Sequence, residues 1–271
     1  MYAYTTFLLL AFSTSLSNAQ NIFSALHSKE IREYKYGRPQ QIVETNTFYS
    51  SNNTQVDKNI KTFDNAGMPF TEERYDETGK INAKLTYIND TINHLCLRRI
   101  FERWTNERYS KETAIYAYDN QNFLIRITDV DANGNATMVS ELVNNDKGNP
   151  IELHLFDGRG RSFGIEKATY FYDRNIAVTT VFSNDGRNLS SDSLEIDFNR
   201  TDSSGNYNEH GDAISYSSRN LDGSRTLFES EYIYDNMGNC IDEKIYKVTV
   251  RNNGKKKRSI DRHFEKQINY R

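Results

Sequence analysis

The stretch Tyr234-Asp235-Asn236-Met237-Gly238-Asn239-Cys240-Ile241 decides the fold, because its pattern recurs along the chain. An aromatic or aliphatic residue, an Asp or Asn, and a Gly a few residues later return in Phe63-Asp64-Asn65-Ala66-Gly67, Tyr75-Asp76-Glu77-Thr78-Gly79 and Val130-Asp131-Ala132-Asn133-Gly134. The pattern continues in Asn145-Asp146-Lys147-Gly148, Phe156-Asp157-Gly158-Arg159-Gly160, Asn184-Asp185-Gly186, Asn208-Glu209-His210-Gly211 and Leu221-Asp222-Gly223. Tyr118-Asp119 and Tyr172-Asp173 keep the pair but carry Asn122 and Asn175 where glycine is expected. The acidic or amide side chain accepts a backbone N–H and caps a turn. Gly, or Asn in its place, supplies the positive φ that a tight reversal needs. The three prolines agree: Pro39, Pro69 and Pro150 each follow a glycine by two residues, where a strand would begin.

Between the turns the pattern has period two. Ile151, Leu153 and Leu155 alternate with Glu152 and His154; Phe123, Ile125 and Ile127 with Leu124, Arg126 and Thr128; Leu194, Ile196 and Phe198 with Glu195 and Asp197. Such alternation marks strands of an antiparallel sheet with one wetter face. Helical spacing is confined to a turn or two near Ile22–Ile31. Turn marks every ~11 to 15 residues imply roughly 16 to 20 strands in up-and-down order. The fold class expected is therefore all-β: an elongated, twisted antiparallel meander of tandem strand–turn repeats, stacked hairpins that are open or partly wound. Residues 21–32 and the last hairpin are expected to cover its ends, since a bare edge strand invites aggregation.

Composition fits that picture. Among 271 residues, 18 Tyr and 15 Phe supply the apolar surface, at a mean hydropathy of −0.78. Disordered chains are equally polar but poor in aromatics. A net charge of −3 argues against nucleic acid as a partner. The two cysteines, Cys96 and Cys240, allow one bridge at most, and in a linear array residues so far apart seldom meet.

At the start, Phe7–Phe12 read as a short apolar core, followed by small and polar residues ending Ser17-Asn18-Ala19. This is the arrangement of a cleaved export signal, residues 1–19, cut before Gln20, although Met1–Thr6 carry no Lys or Arg. The repeat domain is then 20–271, and its location secreted or periplasmic. No later apolar run approaches the ~18 residues of a transmembrane helix.

The recurring Tyr-Asp-x-x-Gly followed by an apolar residue resembles the YD-repeat, or Rhs-type, proteins, with Tyr234–Ile241 the best match and Tyr75–Ile81 next. The resemblance covers roughly residues 31 to 250 and implies wound β-sheet. It points to a small secreted bacterial member with a scaffold or binding role, since this chain is far shorter than the members that enclose a toxin.

Residues bearing chemistry are few. Leu95–Tyr109 break the turn rhythm and hold the single tryptophan, Trp104, with Phe101, Tyr109, Arg103 and three further arginines. Aromatics beside arginines suit a protein or carbohydrate surface, so these four form the binding candidate. The weak metal candidate is Asp129, Asp131 and Asn133, which imitate the first half of a calcium loop, although Ser140 stands where its closing Glu belongs. Five scattered histidines lack metal spacing, and no phosphate-cradling or nucleophile motif occurs, so no cofactor is expected. Lys255-Lys256-Lys257-Arg258 reads as a solvated hairpin turn between Tyr246–Val250 and Arg262–Tyr270. A membrane barrel would need an outward apolar band on every strand, and Glu166, Lys167 and Asp242–Lys244 interrupt it. The function expected is a non-catalytic binding or scaffold module of the bacterial envelope or exterior; the alternative is an exported carbohydrate-active hydrolase.

Overall fold

The structure, a computed structural model, describes residues 22, 34–50, 53–105, 108–174, 176–195, 206–219, 225–250 and 255–271. The expected signal, its cleavage point and the helical stretch after Ile22 lie outside these residues, as does Asn175. Among the described residues, seventeen strands form one sheet. They are β1 (Pro39–Tyr49), β2 (Thr54–Phe63), β3 (Pro69–Tyr75), β4 (Ile81–Asp90), β5 (Leu95–Thr105), β6 (Arg108–Tyr118), β7 (Leu124–Val130), β8 (Ala136–Asn144) and β9 (Pro150–Asp157). The chain continues through β10 (Ser162–Phe171), β11 (Ile176–Phe182), β12 (Asn188–Glu195), β13 (Asn206–Tyr207), β14 (Ala213–Arg219), β15 (Arg225–Tyr234), β16 (Cys240–Val250) and β17 (Lys256–Tyr270). All three prolines open strands, as expected.

The turns form for the reason the sequence suggests. Asp235 Oδ1 accepts the amides of Met237 and Asn239, both at 2.9 Å, and Gly238 takes φ +88°. Asp64, Asp76, Asp119, Asp131, Asn145, Asp157 and Asn208 accept the amides two and four residues on in the same way. Asn122 stands in for glycine with φ +65°. A feature absent from the alternation reading is a register shift beside most of these turns. Tyr118 pairs with Leu124 while Ala117 pairs with Arg126, so Ile125 is an extra residue, a β-bulge. Leu124 and Ile127 are thus both buried while Ile125 is exposed, which corrects the simple alternation expected for this strand.

Pairing is antiparallel between successive strands from β1 to β12 and from β13 to β17. The last strand, β17, also pairs antiparallel with β1, from Pro39 opposite Tyr270 to Phe48 opposite Arg262. The expectation that the last hairpin covers an end is therefore corrected: β17 lies inside the sheet, between β16 and β1. Among the described residues nothing pairs β12 with β13, and the sheet is not closed into a barrel. Following the antiparallel pairings around, β12 and β13 run in the same direction, the one departure from up-and-down order among the described residues.

The two faces differ. One carries a core cluster of Ala114, Leu124, Ile127, Leu142, Leu153, Ala168 and Ala177, with Tyr116, Tyr118, Leu155 and Tyr170 packed against it. Further round, the same face turns polar. Glu44 sits between Lys61 (2.8 Å) on β2 and Lys266 (3.2 Å) on β17, tying three strands across the β1–β17 seam. Burial raises the Glu44 carboxyl, but the two ammonium groups outweigh it, and the group ends below its ordinary value. The opposite face is laced with ion pairs, Glu73–Lys84, Arg126–Glu141 and Glu152–Lys167 among them. In the basic run Lys255–Arg258, expected as a turn, Lys256–Arg258 instead open β17, where Lys256 pairs with Glu229, and Arg258 with Glu229 and Glu231. Cys96 and Cys240 are both free thiols.

Candidate functional site

The site is built at the end of the sheet where turns 64–68, 208–212 and 235–239 lie. Tyrosines at strand ends fasten these turns to one another. The Tyr234 hydroxyl accepts from Asn208 Nδ2 (2.6 Å) and donates to Asp212 Oδ2 (2.7 Å), so the last residue of β15 clasps the turn before β14. Tyr270 repeats this one hairpin on: its hydroxyl accepts from Asn239 Nδ2 (2.7 Å) and donates to Asp235. Burial and the neighbouring carboxylate push the Tyr270 phenol up to about 12. Tyr172 takes amide hydrogens from Asn145 and Asn149 in the same manner. Tyr172, Tyr234 and Tyr270 thus each close an earlier turn at the same end of the sheet. The sequence pattern held this signal in the recurrence of Tyr, and packing alone was read from it.

Residues 34–37 cross this end as a strap. Lys35 N and Tyr36 N donate to Asn239 Oδ1 (2.7 and 2.9 Å), and Asn239 Nδ2 returns a bond to Tyr36 O (2.8 Å). Lys35 Nζ reaches Asp212 Oδ1 at 3.0 Å and His210 O at 2.6 Å. Tyr34 donates to Gly67 O (2.7 Å) and meets Phe63 edge-on. Beneath the strap lies a cleft of ≈ 290 Å³, lined by Tyr34, Lys35, Asp212, Tyr232, Asn239, Glu243, Phe264 and Lys266 among others. Burial raises the Glu243 carboxyl against the pull of Tyr232 and Lys266, and burial likewise lifts the Cys240 thiol to about 11. The cleft combines aromatic walls, two carboxylates, two ammonium groups and one amide. That set suits a small polar ligand with apolar faces.

The four residues of the aromatic–arginine candidate fall on β5 and β6. Trp104 and Tyr109 are opposite in register with rings 5.6 Å apart, and Tyr109 donates to Glu102 at 2.6 Å. Phe101 and Arg103 alternate to the other face, opposite Leu85 and Ala83, with the guanidinium 5.0 Å from the Phe101 ring. The structure therefore divides the four between two faces. Asp131 caps its turn through Asn133 N and Asn135 N, and Asp129 lies on β7 opposite Ala114 on the core-bearing face, where burial raises its carboxyl. A histidine–carboxylate trio that sequence spacing concealed is Asp242, His263 and Glu265. His263 Nε2 is 2.8 Å from Asp242 and Nδ1 3.8 Å from Glu265, so the ring bridges two acids across β16 and β17.

Fold and cleft together define an all-β repeat sheet with a polar, aromatic-walled hollow at one end. No family model and no curated protein matches the chain. Among solved structures it is similar to a porin-like protein from Bacteroides uniformis, at 11% identity over 86% of this chain and 98% of that one, with a TM-score of 0.45. It has a more distant likeness to TcdB2-TccC3 without its hypervariable C-terminal region, at 10% identity over 76% of this chain and 15% of that one, with a TM-score of 0.24.

Proposed function

We propose that this chain is an exported, non-catalytic binding module of the bacterial envelope or exterior, and that its strap-covered cleft takes a carbohydrate. The observation that carries this is the lining of the cleft: Tyr232 and Phe264 offer apolar faces beside Asp212 and Glu243, carboxylates that accept hydrogen bonds from hydroxyls. The turns around it are fixed by reciprocal hydrogen bonds, so the site is preformed and little ordering opposes binding. A second reading, a carbohydrate-active hydrolase, draws on Glu243, whose buried carboxyl is raised as a general acid's would be, near Asp212 in the same cleft.

Calorimetric titration of the mature chain with a panel of mono- and disaccharides separates the two. The binding reading expects saturable heat, weakened about tenfold or more by Phe264→Ala, kept by Glu243→Gln, and no release of reducing ends. Turnover that disappears in Glu243→Gln selects the hydrolase; a folded protein that binds no saccharide overturns both.

A further inference from the structure

Ile22 lies apart in sequence from every strand, yet it is fully buried, at 0% exposure. Its side chain belongs to the core cluster formed by β6 to β11. The sheet is shaped for it. At core-facing positions on four of these strands stand small residues, Ala114, Ser140, Ala168 and Ala177, which leave a hollow between the larger Leu124, Ile127, Leu142 and Leu153. Two polar groups face this hollow. Glu166, on the same face of β10 as Ala168, accepts the Ile22 backbone N–H at 3.1 Å. The Ser140 hydroxyl, in a residue with no exposed surface, has no hydrogen-bond partner among the described residues.

We infer that the β6–β11 face is a peptide-binding seat, which recognises an apolar side chain through the Ala/Ser hollow and its backbone N–H through Glu166, and that the chain's own segment at Ile22 occupies it. The inference is independent of the carbohydrate reading, since the cleft is bounded by β14 to β17 and the strap. Occupation in cis keeps the hollow filled; a segment of the same chemistry supplied from outside competes for it when Ile22 is removed.

The test uses the full chain carrying Ile22→Asp and a fluorescent peptide, Gln-Asn-Ile-Phe-Ser-Ala-Leu, copied from residues 20–26. The peptide should bind this variant, raise its melting temperature and leave the wild type, whose seat is filled, unaffected. Adding Glu166→Ala should weaken binding about tenfold, and Ala168→Leu, which fills the hollow from the sheet side, should abolish it. If Ile22→Asp does not fold, Ile22→Ala serves the same titration. A folded variant of either kind that fails to bind the peptide overturns the inference, as does equal binding to the wild type.

Discussion

Asn239 shows how much of this molecule rests on single side chains at the turns. It is 2% exposed, and its amide satisfies two strap amides, one strap carbonyl and the Tyr270 hydroxyl. Only an amide side chain offers a double acceptor and two donors in one plane, and Gln would carry it one methylene further out. Asn239→Ala strands all four partners, and because these bonds are part-buried the cost should be about 1–3 kcal/mol in urea unfolding. Asn239→Asp should be nearly as harmful, since the lost donors leave Tyr36 O and Tyr270 facing a carboxylate. The position was visible in the sequence only as the residue after Gly238. That it receives the strap depends on a contact with residues 35 and 36, far away in the chain.

At the scale of strands, the bulge after each turn decides which side chains reach the core. It puts Ile125 (37% exposed) outward and Ile127 (3%) inward on one short strand. Ile127→Thr should therefore cost about 2–3 kcal/mol, and Ile125→Thr should fall within about 0.5 kcal/mol of the wild type, as thermal or urea melts would record. The same extra residue leaves Phe70, Leu97 and Ile214 exposed at the equivalent place in other hairpins. The turns and strands were legible because Asp, Asn and Gly act within five residues, and local geometry needs no partner. The bulges were not, because period two is counted from composition, whereas the shift is set by how the turn closes on the neighbouring strand. The division of the aromatic–arginine candidate between two faces has a related reason. Residues close in sequence on a strand point to alternate faces, so Trp104 and Arg103 cannot share a surface. The cleft draws on four strands and the strap, and no stretch of sequence lists its members together.

For the whole molecule, the arrangement of strands places the chain's first and last strands side by side, with the Arg271 N–H donating to Arg38 O at 3.2 Å. Among the described residues the unpaired flanks fall instead between β12 and β13. A circular permutant that begins at Asn206, runs through Arg271 into Gln20, and ends at Glu195 therefore keeps every described strand pairing. It should fold to the same circular dichroism spectrum with a melting temperature within about 5 °C of the parent. A permutant opened within Asp64–Met68 cuts a capped turn and the Tyr34 contact, and should melt well below both.

The β1–β17 seam also sets an order of events. A chain that emerges from its amino-terminal end exposes β1 early, and β2 can satisfy only one flank. The other flank waits for β17, about two hundred residues further along, so its amides and carbonyls stay open while the strands between are made. A chain cut short before Lys256 consequently keeps a sticky margin along β1.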